Sequence, residues 1–322
     1  MNAWLAAFLP LATTLLVAFA LDRWVGEPPL RLHPVAWMGR YLGWIGGLIA
    51  PRHAEPSPNW IAFTAGALAW TGGGLLAVVA AIALQDQIVR LHPLAAGLLL
   101  GVLLKPMLAW RMLRTEVQDV EQALAQSLDA GRRQLGRIVS REVMQLDAVQ
   151  VRESAIESLA ENLNDSVVAP VFWFVVAGLP GAVLYRFANT ADAMWGYRGF
   201  RGGMHWEWAG KWAARADDVL SWLPARLTAL LIAVVSGAVA LGTMRSQARQ
   251  TPSPNSGWPM AAMALALDVR LRKPGAYTLH AQGRDATAQD TAAALRVAGR
   301  TVVVLILWAL LMIAALRWGR VA

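Results

Sequence analysis

The chain has 322 residues, 57% of them hydrophobic and only 16% charged, with a net charge of +8. A soluble protein of this length needs more charge to cover its surface, and the apolar residues fall in blocks near the ~20 residues that cross a bilayer. The absence of cysteine excludes disulfide frameworks and thiolate metal sites. Lys and Arg sit mainly between the apolar blocks, as cytoplasmic flanks of spans do, and give no ground for a nucleic-acid partner.

The fold class expected is all-α: a polytopic helical membrane protein with about five transmembrane spans, amphipathic cytoplasmic helices and, as one alternative, a re-entrant segment. It reads as a single integral-membrane domain over 1–322. The apolar blocks are 3–21, 60–84, 93–110, 167–188, 219–242 and 301–318. The first lacks a basic start, and Leu21-Asp22-Arg23 is no small-residue cleavage site, so it reads as an anchor rather than a signal peptide. The stretch "LDRWVGEPPLRLHPVAWMGR" follows at 21–40, setting Asp22, Arg23 and His33 around a rigid Pro-Pro turn. Lys105, inside the third block, is long enough to reach the interface by snorkelling.

Residues 111–165 form an extramembrane amphipathic helical region. Leu113, Val117, Val120, Leu124 and Leu128 recur every three or four residues, giving a helix with one wet face. Gly131 is expected to interrupt it. Asp147 with Gln150 reads as an N-cap and its N3 partner, opening a new helix. On that helix "ESAIESLAENLNDSVVAP" sets Glu153, Glu157, Glu161 and Asp165 four residues apart. Like charges at that spacing repel by a few tenths of a kcal/mol per pair. One reading is a solvated face, which spacing alone favours. The other is that the carboxylates converge on a hard cation such as Mg²⁺, held through oxygen together with substrate phosphates.

The next block breaks at Leu179-Pro180-Gly181, which implies a kinked full span or a re-entrant hairpin. A full span leaves the Arg-rich 243–300 loop inside; a hairpin sends it outside, against the positive-inside tendency. The cluster "RFANTADAMWGYR" at 186–198 offers oxygens from Asn189, Thr190 and Asp192, and anion contacts from Tyr197 and Arg198, unless it merely caps a helix start. Asp217 and Asp218 precede the fifth block; neighbours on a helix point about 100° apart, so at most one faces a given ligand. "TPSPNSGWP" at 251–259 has turn chemistry, with Ser253 and Asn255 able to contact a ligand or cap a helix. No phosphate-binding Gly-rich loop, zinc helix or serine nucleophile elbow is present.

Taken together and in this order, "LDRWVGEPPLRLHPVAWMGR", "AIESLAENLNDSVVAPVFW", "LPGAVLYRFANTADAMWGYR", "ARADDVLSWLPARLTAL" and "SPNSGWPMAAMALAL" resemble the adenosylcobinamide-phosphate synthase family of cobalamin biosynthesis. Met260, Ser166 and "YRGFRGG" depart from its usual residues. The resemblance implies an integral-membrane enzyme that joins adenosylcobyric acid to (R)-1-aminopropan-2-ol or its O-phosphate. ATP is the implied co-substrate, Mg²⁺ the implied cofactor, and the bacterial cytoplasmic (inner) membrane the implied location.

Phosphorylation would give the unreactive carboxylate a leaving group, so the chemistry needs phosphates held by metal, cationic stabilisation and a base. Glu157, Glu161 and Asp165 are the expected metal ligands and, with Asp192, the expected catalytic residues. Asn162, Asn164, Asn189, Tyr197, Arg198, Asp217, Asp218, Asn255, His33 and Asp22 are the expected substrate contacts. A non-catalytic corrinoid-binding or sensor protein of the same fold is the alternative, and assembly as a homo-oligomer is left open.

Overall fold

A computed structural model describes residues 3–53, 58–237 and 240–318, with side chains from residue 8 onward. Residues 238–239 of the 219–242 block and the first side chains of the 3–21 block fall outside them. The chain is mostly helical: α1 Ala3–Trp24, α2 Pro34–Ile49, α3 Trp60–Ile88, α4 Pro93–Leu104, α5 Trp110–Gln126, α6 Leu128–Leu135, α7 Ala148–Leu163, α8 Ala169–Trp195, α9 Lys211–Leu220, α10 Trp222–Ser236, α11 Leu241–Ala248, α12 Gly257–Leu267 and α13 Ala288–Trp318. Two small antiparallel hairpins interrupt the helices, β1 Phe200–Arg201 with β2 Met204–His205, and β3 Leu271–Lys273 with β4 Tyr277–Leu279.

Four helical runs among the described residues are long and apolar enough to cross a membrane: Trp60–Ile88, Pro93–Gln126, Ala148–Trp195 and Ala288–Trp318. A fifth results if α9 and α10 form one bent span. The protein is therefore a multi-pass membrane protein by helix length and composition. Within Ala148–Trp195 no charge lies between Asp165 and Arg186, so the apolar crossing stretch follows the acidic row rather than containing it.

The chain divides into two compact units. Unit one comprises 1–108, 169–220 and 309–322; unit two comprises 109–168 and 221–308. In unit one α1 packs on α4, and small residues permit the close approach. A Cβ on Gly97 would stand 2.5 Å from Thr13, and one on Gly101 2.6 Å from Val17. The break in α8 falls at Gly178, where φ is 68°. Pro180 and the turned backbone leave Leu179 without a helical acceptor, and its N–H donates instead to Gln85 Oε1 at 2.8 Å.

Lys105 does not snorkel. It is 4% exposed, and its ammonium pairs with Glu27 at 2.8 Å and Asp22 at 3.4 Å while donating to the Leu108 carbonyl at 3.4 Å. Snorkelling requires a path to water, and this ammonium has counter-charges close by instead. His33 caps α2: the Val35 N–H donates to Nδ1 at 3.2 Å, which leaves the ring proton on Nε2, 3.1 Å from Glu27.

In unit two the amphipathic region breaks at Ser127, not at Gly131. Ser127 is extended (φ −164°, ψ 156°) and caps α6 by accepting from the Ala130 N–H at 3.1 Å. Gly131 lies inside α6 because a Cβ there would stand 2.8 Å from Leu124, so the glycine lets α6 fold back on α5. The helix α7 opens with the expected capping box between Asp147 and Gln150. It ends in one π-turn, residues 164–168. Pro170 supplies no N–H to the Ser166 carbonyl, and that carbonyl accepts from Ala109 at 3.0 Å.

Candidate functional site

The acidic row of α7 is not a solvated face. Glu153 is 0% and Glu157 5% exposed, so each carboxylate must find a partner or hold a proton. The first three do so in three different ways.

Glu153 is closed off. Arg272, at the centre of β3, sends Nε and Nη2 to its two oxygens at 2.9 Å each, and the Arg272 backbone N–H adds a third bond at 3.2 Å. This bidentate pair fixes the β3–β4 hairpin on α7. Glu157 is shared: Arg141 Nη2 donates at 2.8 Å to one oxygen, and the Tyr277 hydroxyl from β4 donates to the other. Burial first, then the Glu157 and Glu161 carboxylates, push the Tyr277 hydroxyl well above the usual phenol range, so it is a donor at every physiological pH.

Glu161 is the carboxylate left over. No hydrogen bond or ion pair reaches it among the described residues. Burial first, then the negative charges of Asp165 and Glu157, push its carboxyl up to about 8, against the weaker opposing pull of Lys273 and Arg141. Near neutral pH it therefore holds a proton unless a cation displaces it.

Glu157 and Glu161 line a cavity of about 120 Å³ with Arg141, Lys273, Ser140 and Asn162. Arg141 has further capacity, since its Nε and Nη1 are buried without a hydrogen-bond partner. Lys273 is exposed at the mouth and is held by the turn Lys273-Pro274-Gly275-Ala276. That turn is closed by the Ala276 N–H to the Lys273 carbonyl at 2.9 Å, with Gly275 at φ 73°.

The three-carboxylate metal set does not assemble. No group of three His, Cys, Asp or Glu among the described residues could hold an ion. Asp165 does not line the cavity; it accepts from Asn164 Nδ2 at 2.8 Å, and Asn164 Oδ1 accepts from Thr228 at 3.0 Å. Asp165 sits on the π-turn and still lies close enough to act on the Glu161 carboxyl. Asn162 donates to the Ser158 carbonyl at 2.9 Å, and Asn255 accepts from Arg226 at 2.7 Å.

The other expected site residues belong to unit one. Asp22 pairs with Lys105, and His33 caps α2. Asn189 and Asp192 lie within α8 rather than at a helix start, and the Asp192 carbonyl takes the Gly196 N–H at 2.7 Å. The Tyr197 hydroxyl donates to the Ala193 carbonyl at 2.9 Å beneath Arg201, while Arg198 is exposed. Asp217 and Asp218 lie on α9, with Asp218 3.3 Å from Arg215.

The profile of the CobD/Cbib protein family matches residues 15–316. The chain belongs to the CobD/CbiB family. Its relatives include the probable cobalamin biosynthesis protein CobD of Thermococcus kodakarensis, 40% identical over 91% of this chain and 95% of the relative. The cobalamin biosynthesis protein CobD of Chromobacterium violaceum is 39% identical over 96% of each chain. That of Brucella suis is 38% identical over 87% of this chain and 90% of the relative. No solved structure matches.

In this CobD/CbiB chain the residues that sequence reasoning missed are Arg141, Arg272, Lys273 and Tyr277. A signal for the last three was present. "LRKPGAYTL" places Pro-Gly, a turn pair, between two short alternating runs, which is a hairpin pattern. Arg141 had no such signal.

Proposed function

We propose that this CobD/CbiB chain is an ATP-dependent amide ligase of the bacterial inner membrane. It would join adenosylcobyric acid to (R)-1-aminopropan-2-ol or its O-phosphate, giving adenosylcobinamide or its phosphate. The observation that carries this reading is Glu161, a half-buried carboxyl with no partner among the described residues, beside a second carboxylate and two cations in one small cavity. A structural acidic row would have closed all its members, as Glu153 is closed.

The cavity fits Mg²⁺ as one or two carboxylates with substrate phosphates do, since this ion keeps water and phosphate ligands rather than needing an all-protein cage. Glu161 would be its first ligand, and Glu157 its second once an Arg141 or Tyr277 contact is given up. Held there, Mg²⁺ would supply Lewis-acid stabilisation of phosphate charge. In the proposed reaction a carboxylate oxygen of adenosylcobyric acid attacks the γ-phosphorus of ATP, and ADP departs. The amine then attacks the acyl carbon of the acyl phosphate, phosphate leaves and the amide forms. Arg141 and Lys273 supply positive charge where the departing oxygens gain negative charge. Tyr277 holds Glu157 and positions the wall of the cleft.

The test is direct. Purified protein with adenosylcobyric acid, ATP, Mg²⁺ and either amine should give a corrinoid product of the amide mass together with ADP. Saturable corrinoid binding with no product would replace this reading with the non-catalytic one.

A further inference from the structure

The cleft on α7 contains more positive hydrogen-bonding capacity than its own carboxylates use. Glu157 takes a single N–H of Arg141, and Nε and Nη1 of that guanidinium stay buried and unpaired. A buried donor left unsatisfied costs about 1–3 kcal/mol, more when charged. Such a group persists where a ligand completes it. Lys273 Nζ stands at the mouth without a carboxylate partner, and Ser140 adds a hydroxyl. Glu157 is already engaged by Arg141 and by the Tyr277 hydroxyl.

Arg141 and Lys273 therefore bring two cations with several N–H donors to one cavity. At about 120 Å³ the space equals roughly four waters. That is too small for a nucleoside or a corrin ring, and right for one tetrahedral oxyanion.

We infer that the cavity between Arg141, Lys273 and Glu161 is a phosphate subsite that takes a single phosphoryl group. Two sources share that chemistry: the terminal phosphate of the nucleotide and the phosphate of a phosphorylated amine. Which one it serves rests on the ligase reading above; the subsite itself rests on the unpaired donors and the size of the space.

The experiment uses the full chain in lipid nanodiscs, titrated with inorganic phosphate by calorimetry, with nitrate as the non-tetrahedral control. Wild type should bind phosphate saturably at one site and not bind nitrate. Lys273→Gln, an exposed change that leaves the fold untouched, should weaken phosphate by ~10-fold or more, equivalent to about 1.4 kcal/mol. Arg141→Lys, which keeps the charge but loses donors, should weaken it as well.

Wild-type-like phosphate affinity in both variants, or no phosphate binding by wild type, overturns the subsite. The kinetic arm separates the two sources. A rise in KM for the phosphorylated amine alone assigns the amine's phosphate. A rise in KM for ATP with either amine assigns the nucleotide's. Phosphate binding lost in the variants of a protein that makes no amide would sink the ligase reading and leave the subsite standing.

Discussion

Each unit of this chain buries a cation against two carboxylates, and the two clusters end in opposite states. In unit one Lys105 has two counter-charges within ion-pair distance, Glu27 at 2.8 Å and Asp22 at 3.4 Å, and donates to the Leu108 carbonyl. In unit two Arg141 commits Nη2 to Glu157, leaves two donors unpaired, and adjoins a carboxyl that nothing bonds. Buried charge with its counter-charges in place holds a structure together. Buried charge with valences open, next to a cavity, is arranged for something that arrives later. Both clusters would look alike in a list of motifs, and their bonding state is what separates them.

The comparison breaks most severely at Lys105. Lys105→Met leaves Asp22 and Glu27 without their cation, and loss of one partner from a buried pair costs about 3–5 kcal/mol. The folded yield in detergent and the thermal midpoint should both fall sharply. An unchanged midpoint would mean that the cluster is solvated and the contrast unfounded.

Glu161→Gln is the opposite experiment. It removes no bond and no neutralising charge, so the thermal midpoint should hold or rise slightly, while amide formation falls by ~100-fold or more, about 2.7 kcal/mol of barrier. Turnover near wild type would move the reaction elsewhere.

The pH dependence sharpens the same point. Glu161 is raised from the ordinary carboxyl range to about 8 in the folded chain. Its contribution to stability is therefore full below the ordinary carboxyl pKa and is lost as pH rises through about 8. Mg²⁺ needs the ionised form, so its affinity should climb ~10-fold per pH unit up to about 8 and then level, with release of one proton. Calorimetry in buffers of different ionisation enthalpy reads that proton. In Glu161→Gln the affinity should be weak and flat with pH.

The smallest effect is expected at Gly275, whose φ of 73° suits glycine alone in the hairpin turn. Gly275→Ala should cost about 1–2 kcal/mol locally, seen as faster amide exchange over β3 and β4 and as a weaker grip on phosphate.

Much of this was legible in the sequence. Apolar blocks gave a helical membrane protein, and Asp147 with Gln150 marked the start of α7. The break near Pro180 was expected one residue from where Gly178 makes it. The acidic row drew attention to α7 but did not show its environment. Spacing alone favoured a wet face, and burial of Glu153 and Glu157 depends on Arg272 and Tyr277, more than 110 residues away in the chain. Even i+4 spacing also assumed an unbroken α-helix, whereas Asp165 lies on a π-turn and is not among the residues lining the cleft. Arg141 lies in an irregular stretch between α6 and α7, where no periodicity shows what it touches. Lys105 looked like an interfacial lysine because its counter-charges, Asp22 and Glu27, lie about eighty residues earlier.

The Arg272–Glu153 clamp also has a bearing on biosynthesis. Its two halves are separated by 119 residues, so while a ribosome is still decoding α8 to α12, the helix carrying Glu157 and Glu161 has neither Tyr277 nor Lys273 available. Completion of the cleft is thereby tied to near-completion of translation. A nascent chain stalled before the β3–β4 hairpin would have inserted several spans and yet remain unable to capture phosphate.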